Sequence, residues 1–376
     1  MNKEQRILSV QQFQKIGPED YAKVRPIFAG LAEIQLNVTA VLDGTAPGEV
    51  YVHAADGPQT ACLTSGDGCY LAGAPINRGF NAALNAFLPR DTYFVLFCDP
   101  HLWEDALDDL LRDTYAVRAR RRFYALKRLR VPDWRKRIPP GFSMQRIDAE
   151  FLSQGLTNGD AVVAAILSEW SSLAGFLEAG FGFCLVHGDE IVSWSFSDYV
   201  SRDRCEIGIC TLWSYRRRGF GTLTAAAVAA QAVAAGFSSV GWHCWDNNVG
   251  SIRVAENVGF ERAADYDVFI NHWAAENVTD MSRDEFRAFA EFYERQFETR
   301  PPSSGFPHIV AAKAWALCGE SGGCFRQLTR AADLGWLRDA GHLREIWPEF
   351  FSIQNLDQTA EWRDLAKKLK PSVSVP

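Results

Sequence analysis

Between residues 48 and 99 the apolar positions fall in short runs, GEVYVHAA (48–55), TACLTS (60–65) and YFVLFCD (93–99). β-Branched and aromatic residues cluster in them between Gly, Pro and Asp, a pattern that predicts strands. The period then changes. In HLWEDALDDLLRDTY (101–115), Leu102, Ala106, Leu110 and Leu111 share one helical face. Ten Lys or Arg follow between Arg118 and Arg137, read as a solvated strand and linker, with phosphate binding as the alternative. The turn RIPPGF (137–142) punctuates the chain, since Pro-Pro-Gly continues neither a helix nor a central strand.

The next informative stretch begins at Cys205. CEIGICTL (205–212) reads as a strand, YRRRGFGT (215–222) as a basic, glycine-containing turn, and Leu223–Ala235 as an alanine-rich helix closed by Gly236. SVGWHCW (239–245) is a second strand, and a short helix runs from Ser251 to Asn257. Beyond Ile270 the pattern becomes helical throughout. FRAFAEFYERQF (286–297) is amphipathic, PPSSGFP (301–307) breaks it, and two helices follow around IVAAKAWALCG and GCFRQLTRAADLG. Trp315, Gly319, Cys324, Leu328 and Ala331 fall where a single tetratricopeptide-like hairpin places an aromatic, a turn glycine, a small, a large apolar and a small residue. No second copy appears.

Composition narrows the classes. With 47% apolar and 23% charged residues the 376-residue chain is rich enough in apolar side chains for a buried core, and its length suits two or three domains. A net charge of −7 argues against a protein built to coat nucleic acid. The nine cysteines are scattered without a CxxC pair, which favours buried thiols in a reducing cytosol over a disulfide framework or a zinc site. MNKEQRILSV is too polar for a signal peptide, and no apolar run approaches the ~18 residues of a membrane span. The expectation is a cytoplasmic protein with no membrane or nucleic-acid partner.

A strand, a turn with two glycines and a helix start form an anion site, because free backbone N–H groups and the helix dipole both point at the ligand. Gly219 and Gly221 allow close backbone approach, and Arg216, Arg217 and Arg218 add positive charge. Neither GxGxxG nor GxxxxGK[ST] is met. The hexapeptide Arg216-Arg217-Arg218-Gly219-Phe220-Gly221 instead resembles the pyrophosphate-binding signature [Q/R]-x-x-G-x-[G/A] of the GNAT acetyltransferases. Glu206–Gly208 before it, the helix after it, and Asn248 through Gly259-Phe260 stand at that family's spacing. GEVYVHAADGPQTACL, the strand near Cys98, Trp103 and WHCWDNN further resemble the group containing the zwittermicin A resistance acetyltransferases. The resemblance covers roughly residues 10–272, strongly over 180–262.

It implies an α/β chain. A GNAT fold (a mixed twisted sheet flanked by helices, 138–272) is preceded by an α/β N-terminal half (1–137) and followed by an all-helical appendage (273–376). It also implies acyl transfer from acetyl-CoA to an amine by direct attack in a ternary complex. Glu206 occupies the position from which family members use a carboxylate as base; pairing with an arginine is the alternative. Backbone N–H groups of Ile209, Cys210 and Thr211 are the implied oxyanion and pantetheine donors. The turn through Thr222 is implied to hold the pyrophosphate, and Asn248 and Ser251 the pantetheine arm; a helix N-cap is the alternative for Asn248. Ala255 stands where many members carry a tyrosine that protonates the departing thiolate. Tyr215, His243 or water are candidates for that role, and Cys244 is a candidate acyl-carrying nucleophile. The acceptor is expected to be the amine of a small polar metabolite or antibiotic, with Glu169, Asp198 and Asp203 as candidate carboxylates around it. The alternatives are a protein or peptide amine docked by the helical tail, and a non-catalytic coenzyme A-binding scaffold. The tail is also open to a homodimer contact or a protein partner.

Overall fold

The computed structural model describes residues 13–75, 78–89, 93–112, 114, 116–272, 282–299, 301–337, 343 and 356–369. The polar N-terminal decapeptide lies outside them. The chain folds as two compact units. The first takes in the described residues up to Asn85 together with Val95–Leu110 and Arg118–Phe269; the second takes in Ala86–Phe94, Leu111–Val117 and the residues from Ile270 onward.

The first unit is built on one twelve-stranded mixed sheet. Its strands are β1 (Gln14–Ile16), β2 (Glu49–Val52), β3 (Thr60–Ser65), β4 (Gly68–Gly73), β5 (Phe94–Phe97), β6 (Val117–Leu126), β7 (Phe142–Arg146), β8 (Gly182–His187), β9 (Glu190–Ser201), β10 (Arg204–Thr211), β11 (Ser239–Trp245) and β12 (Phe260–Asn271). They lie in the order β1-β2-β3-β4-β5-β12-β6-β11-β10-β9-β8-β7. The N-terminal strands therefore continue the same sheet as the glycine-turn segment, joined through β12.

The strand expected in the basic stretch is present, but it is central rather than solvated: Arg118–Leu126 belong to β6, between β12 and β11. Arginines are tolerated there because strand alternation sends Arg118 and Arg120 to one side, where both pair with Asp267, while Ala119 is buried.

Helix α1 (Leu36–Leu42) packs on β9 and β10. α2 (Gly159–Glu169) and α3 (Leu173–Ala179) cover one face of the sheet, with Val162, Ile166 and Phe176 against Cys184, Val186, Trp194 and Phe196. On the other face lies α4 (Phe220–Ala234), whose run Ala225–Ala229 is buried against Leu185, Cys205, Ile207 and Trp242. Small side chains let that helix sit close to β8, β9 and β10, which accounts for its alanine content. It starts three residues before the expected Leu223, because Gly219 at φ 81° is its left-handed N-cap.

Helix α5 (Val249–Val258) ends on Gly259, whose N–H donates to Ala255 O and whose φ is 118°. A Cβ at this position would also collide with the backbone carbonyl of Arg128. Gly259→Ala is therefore expected to lower stability by about 2–4 kcal/mol, read as a drop in denaturation midpoint at unchanged slope. A variant that unfolds like the parent would show that the chain relaxes around this crossing at no cost.

The second unit is helical: Arg283–Thr299, Phe306–Cys318, Ser321–Asp333 and Ala360–Lys368 surround a core that includes Tyr293, Trp315, Cys324, Leu328 and Ala331. The hairpin expected around Gly319 is present, with Gly319 at φ 95° closing its first helix. Among the described residues no single helix is long and apolar enough to cross a membrane. All nine cysteines are free thiols, and eight of them are buried.

Candidate active site

The chemistry centres on the parting of two parallel strands. β10 is paired to β11 at Arg204↔Ser239, Cys205↔Val240 and Glu206↔Gly241, and there the pairing stops, although both strands run on. On its other side β10 stays paired to β9 along its whole length, with a register shift between Glu206 and Ile207 that leaves Asp198 as the extra residue of β9. A bulge of this kind bends and over-twists the strand pair. Pairing on one side and bulge on the other change at the same residue, so β10 leaves β11 just beyond Glu206.

The opened wedge is a cavity of about 360 Å³ lined by Ile207–Cys210 from β10 and Trp242–Trp245 from β11. It extends from Asn248 and Ser251 at one end to Asp67, Ser168 and Glu169 at the other.

Glu206 is buried, with only 6% of its surface exposed. Its Oε1 accepts the backbone N–H of Leu36 at 3.1 Å and lies 3.3 Å from His243 Nε2. The imidazole's other nitrogen is 2.8 Å from the Tyr266 hydroxyl. An ionised carboxylate only accepts, so in this arrangement Nε2 carries the proton and the Tyr266 phenol donates to Nδ1. Gly241, across from Glu206, leaves room for this; a Cβ there would lie 2.8 Å from Glu206 Cγ. Burial pushes the Tyr266 phenol up to about 12, which keeps it a donor at neutral pH.

The far end of the cavity is acidic. The Tyr199 hydroxyl is 3.0 Å from Asp67 Oδ2 and in hydrogen-bond contact with Glu169 Oε2. Asn37 Nδ2 donates to Tyr199 and to Asp67 at 2.9 and 3.1 Å. Burial, then the neighbouring Asp67, push Glu169 up to about 7. Asp198 is driven well above the usual carboxylate range by burial and by Glu169, Asp67 and Glu206 around it.

The glycine turn adjoins this wedge through Ile209. Arg217 and Gly219 both have left-handed backbones, at φ 62° and 81°. Arg216–Gly219 are exposed. Arg216 Nε donates to Thr211 O at 3.1 Å, tying the turn to the end of β10. Arg218 lies 5.3 Å over the Tyr215 ring.

A family model for GNAT acetyltransferase matches residues 25–269. The chain belongs to the GNAT acetyltransferase family. It is 28% identical over 238 residues, 62% of its length and 88% of the relative's, to an uncharacterized N-acetyltransferase, YdfB, of Bacillus subtilis (strain 168). A GCN5-related N-acetyltransferase-like protein from Streptococcus suis 89/1591 superposes with a TM-score of 0.54 at 22% identity, covering 67% of this chain and 98% of that one. The family match ends at residue 269, before the helices that begin at Arg283.

Against this GNAT frame the predicted site residues divide into two sets. Glu206, Ile209, Cys210, Asn248 and Ser251 line the cavity, whereas Thr211, Arg216–Gly221 and Thr222 lie outside its lining. Phe220 departs from expectation: its ring is buried against Phe142 and the α4 core, so only its backbone faces the turn. Thr211 Oγ1 is engaged by Ser193 Oγ at 2.8 Å, which leaves its backbone as the polar group toward the wedge. Asn248 caps α5, its Oδ1 accepting the Ser251 N–H at 3.0 Å, and Ser251 Oγ accepts from Trp242 Nε1 at 2.9 Å.

Tyr215 donates to Glu190 at 2.9 Å and is absent from the cavity wall. Cys244 is a buried thiol pushed up to about 11, unsuited to carrying an acyl group. Ala255 is fully buried. His243 faces Glu206 across the parted strands. Of the candidate acceptor carboxylates, Glu169 and Asp198 reach the cavity, whereas Asp203 is exposed and accepts from Ser238. Asp67, Arg121, Tyr199 and Tyr266 were missed. They come from β4's entry turn, β6, β9 and β12, and the only signal was Arg121, out of phase with the alternating Arg118, Arg120 and Arg122.

Proposed function

We propose that this N-acetyltransferase moves an acetyl group from acetyl-CoA to the amine of a small polar metabolite or antibiotic by direct attack, with Glu206 as the base. The observation that carries this reading is the end of β10–β11 pairing at Glu206, which puts a buried carboxylate at the apex of the strand wedge. The wedge also offers a test of fit. An acyl-pantetheine arm needs backbone groups free of a sheet partner, and β10 beyond Glu206 has none on its β11 side. A pyrophosphate needs close backbone N–H groups, and the turn supplies left-handed Gly219 and the α4 N-terminus.

Acetyl-CoA supplies an activated thioester. An amine with a pKa near 10 arrives protonated, so Glu206 takes the proton, directly or through one water. His243, held in place by Tyr266, donates to the carboxylate and steadies it. Backbone N–H groups of Ile209 and Thr211, which strand alternation turns away from β9, are assigned to the oxyanion, whereas that of Cys210 turns toward β9. A leaving thiolate with a pKa near 8.5 needs little help, so Ala255 in place of a tyrosine is tolerable. Within the family we group the chain with the zwittermicin A resistance-like acetyltransferases. We take the helical hairpin to be tetratricopeptide-like and available to a protein partner or a second copy.

Saturating acetyl-CoA is expected to raise the melting temperature: at about 100 times its dissociation constant a ligand adds roughly 2.7 kcal/mol. Inorganic phosphate at equal concentration is expected to leave it nearly unmoved. Melts that ignore acetyl-CoA, or respond equally to phosphate, would remove the basis for the assignment.

A further inference from the structure

The order of elements along the sheet runs twice. From Gln14 to Leu126 come a strand, short helices, three strands, a helix, a strand, a helix and a strand; from Phe142 to Asn271 the same series returns. The pairing returns with it. β1–β2, β2–β3 and β3–β4 are antiparallel and β4–β5 parallel, matched by β7–β8, β8–β9, β9–β10 and then β10–β11. Counted inward from either edge, the sheet gives five strands of one series and then the last strand of the other, β12 beside β5 and β6 beside β11. Two copies of one topology thus share a twofold-symmetric strand order, with their last strands exchanged.

Each copy has a cavity at the same place in that order. The cavity at Glu206 lies where the end of β11 and the start of α5 meet the exchanged strand β6, through Trp242–Trp245, Asn248, Ser251 and Arg121. Another, of about 290 Å³, lies where the end of β5 and the start of the helix Pro100–Leu111 meet the exchanged strand β12, through Phe97, Pro100, His101 and Asp265–Asp267. One wall differs. Ile207–Cys210 of β10 face the first cavity, whereas no residue of β4 lines the second. β4 stays paired through Tyr70↔Phe97, the last residue of β5, and the Tyr70 ring stacks on Phe97 with centroids 4.3 Å apart. The gap that opens beyond Glu206 in the C-terminal copy is shut in the N-terminal one.

The turns that follow β4 and β10 are alike in sequence, and they differ where an anion would bind. Arg78-Gly79-Phe80-Asn81 stands where Arg218-Gly219-Phe220-Gly221 stands, and Phe80 and Phe220 both bury their rings. The N-terminal turn has one arginine for three, and Asn81 in place of the second glycine. Asn81 Nδ2 donates to Pro75 O at 2.9 Å, so a side chain bridges the turn where Gly221 brings none. What the N-terminal copy contributes is a wall. Gln35, Asp67 and Arg121 line the cavity at Glu206, and the Leu36 N–H donates to Glu206 itself. They come from the entry to α1, the β3–β4 turn and the exchanged strand β6, all in the copy whose own gap is shut.

We propose that the chain is a fused pair of acetyltransferase copies with divided tasks: the C-terminal copy alone receives acetyl-CoA, and the N-terminal copy selects the acceptor through Gln35, Asp67 and Arg121. This deepens the acetyl-transfer reading and rests on it for the identity of the donor. The strand exchange makes the division workable. β6 carries Arg121 out of its own copy to a place opposite Trp245, with the guanidinium 5.0 Å over that ring in the other copy's cavity.

Native mass spectrometry of the full-length protein with acetyl-CoA is expected to show one molecule bound per chain. Hydrogen–deuterium exchange should slow on binding over residues 206–223 and stay unchanged over 74–81. Gln35→Ala and Asp67→Asn, assayed with ethanolamine, tyramine and glucosamine, should shift the ratios of kcat/KM among these amines by about tenfold, the scale of one charge-assisted hydrogen bond. Acetyl-CoA affinity should stay within about twofold in both variants. The proposal is overturned by two acetyl-CoA molecules per chain, by slowed exchange over 74–81, or by amine ratios that keep their parent values in both variants. Should one variant fail to fold, the other decides. The two readings also separate. Two molecules bound leaves the acetyl-transfer reading standing and removes this one, whereas none bound removes the acetyl-transfer reading itself.

Discussion

Gly221→Val is expected to weaken acetyl-CoA binding on the order of 10²-fold, from the overpacking scale of a branched side chain in a closed gap. A Cβ at Gly221 would stand 3.1 Å from Ile209 Cδ1, 3.2 Å from Thr211 Oγ1 and 3.5 Å from Val254 Cγ2. The space between the end of β10 and the first turn of α4 is one methyl wide, and valine's two further carbons must push helix and strand apart. That movement withdraws the helix N-terminus from the pyrophosphate and shifts the strand that faces the pantetheine arm. Gly219 is exposed, but Gly221 packs inside, so stability should also fall, by about 1–3 kcal/mol. Calorimetry of acetyl-CoA at a temperature where both proteins are folded separates the two losses. Parent-like affinity in the folded variant would place the phosphate site elsewhere.

Glu206→Gln is expected to lower kcat by about 10²–10⁴-fold, the usual scale of one acid–base group. The change is isosteric and lies away from the glycine turn, so acetyl-CoA affinity should stay within about twofold. The glutamine can still accept from the Leu36 N–H, which preserves the local frame. A loss confined to the KM of the amine would make Glu206 a binding residue, and the proton would then leave by another route.

The stretch from Cys205 to Phe260 was legible because its signals are local. Strand, turn, helix and strand follow one another, and β11 spans the expected Ser239–Trp245. Where the reading erred at its edges, the cause was a cap: Gly219 starts α4 before Leu223, and Asn248 starts α5 before Ser251. The rest of the site was not legible, because its residues meet only through the sheet order. Tyr266 reaches His243 because β12 lies beside β6, and β6 beside β11. No spacing along the chain encodes that neighbourhood. The arginine run shows the opposite difficulty. Its charge suggested solvent, yet Asp267 on the adjoining strand pairs with Arg118 and Arg120, and a partner 147 residues away leaves no trace in local pattern.

The extra residue at Asp198 has a consequence for how such a protein can change. One insertion in β9 both bends β10 off β11 and aims a carboxylate into the pocket. The width of the wedge and part of the charge of its wall are therefore inherited together. Deleting that residue would close the wedge and remove one of its carboxylates in one step, whereas exchanging Glu169 or Asp67, which stand on other elements, changes the charge of the wall alone. The charge of the wall can vary at those two positions without moving a strand, and at the third it cannot.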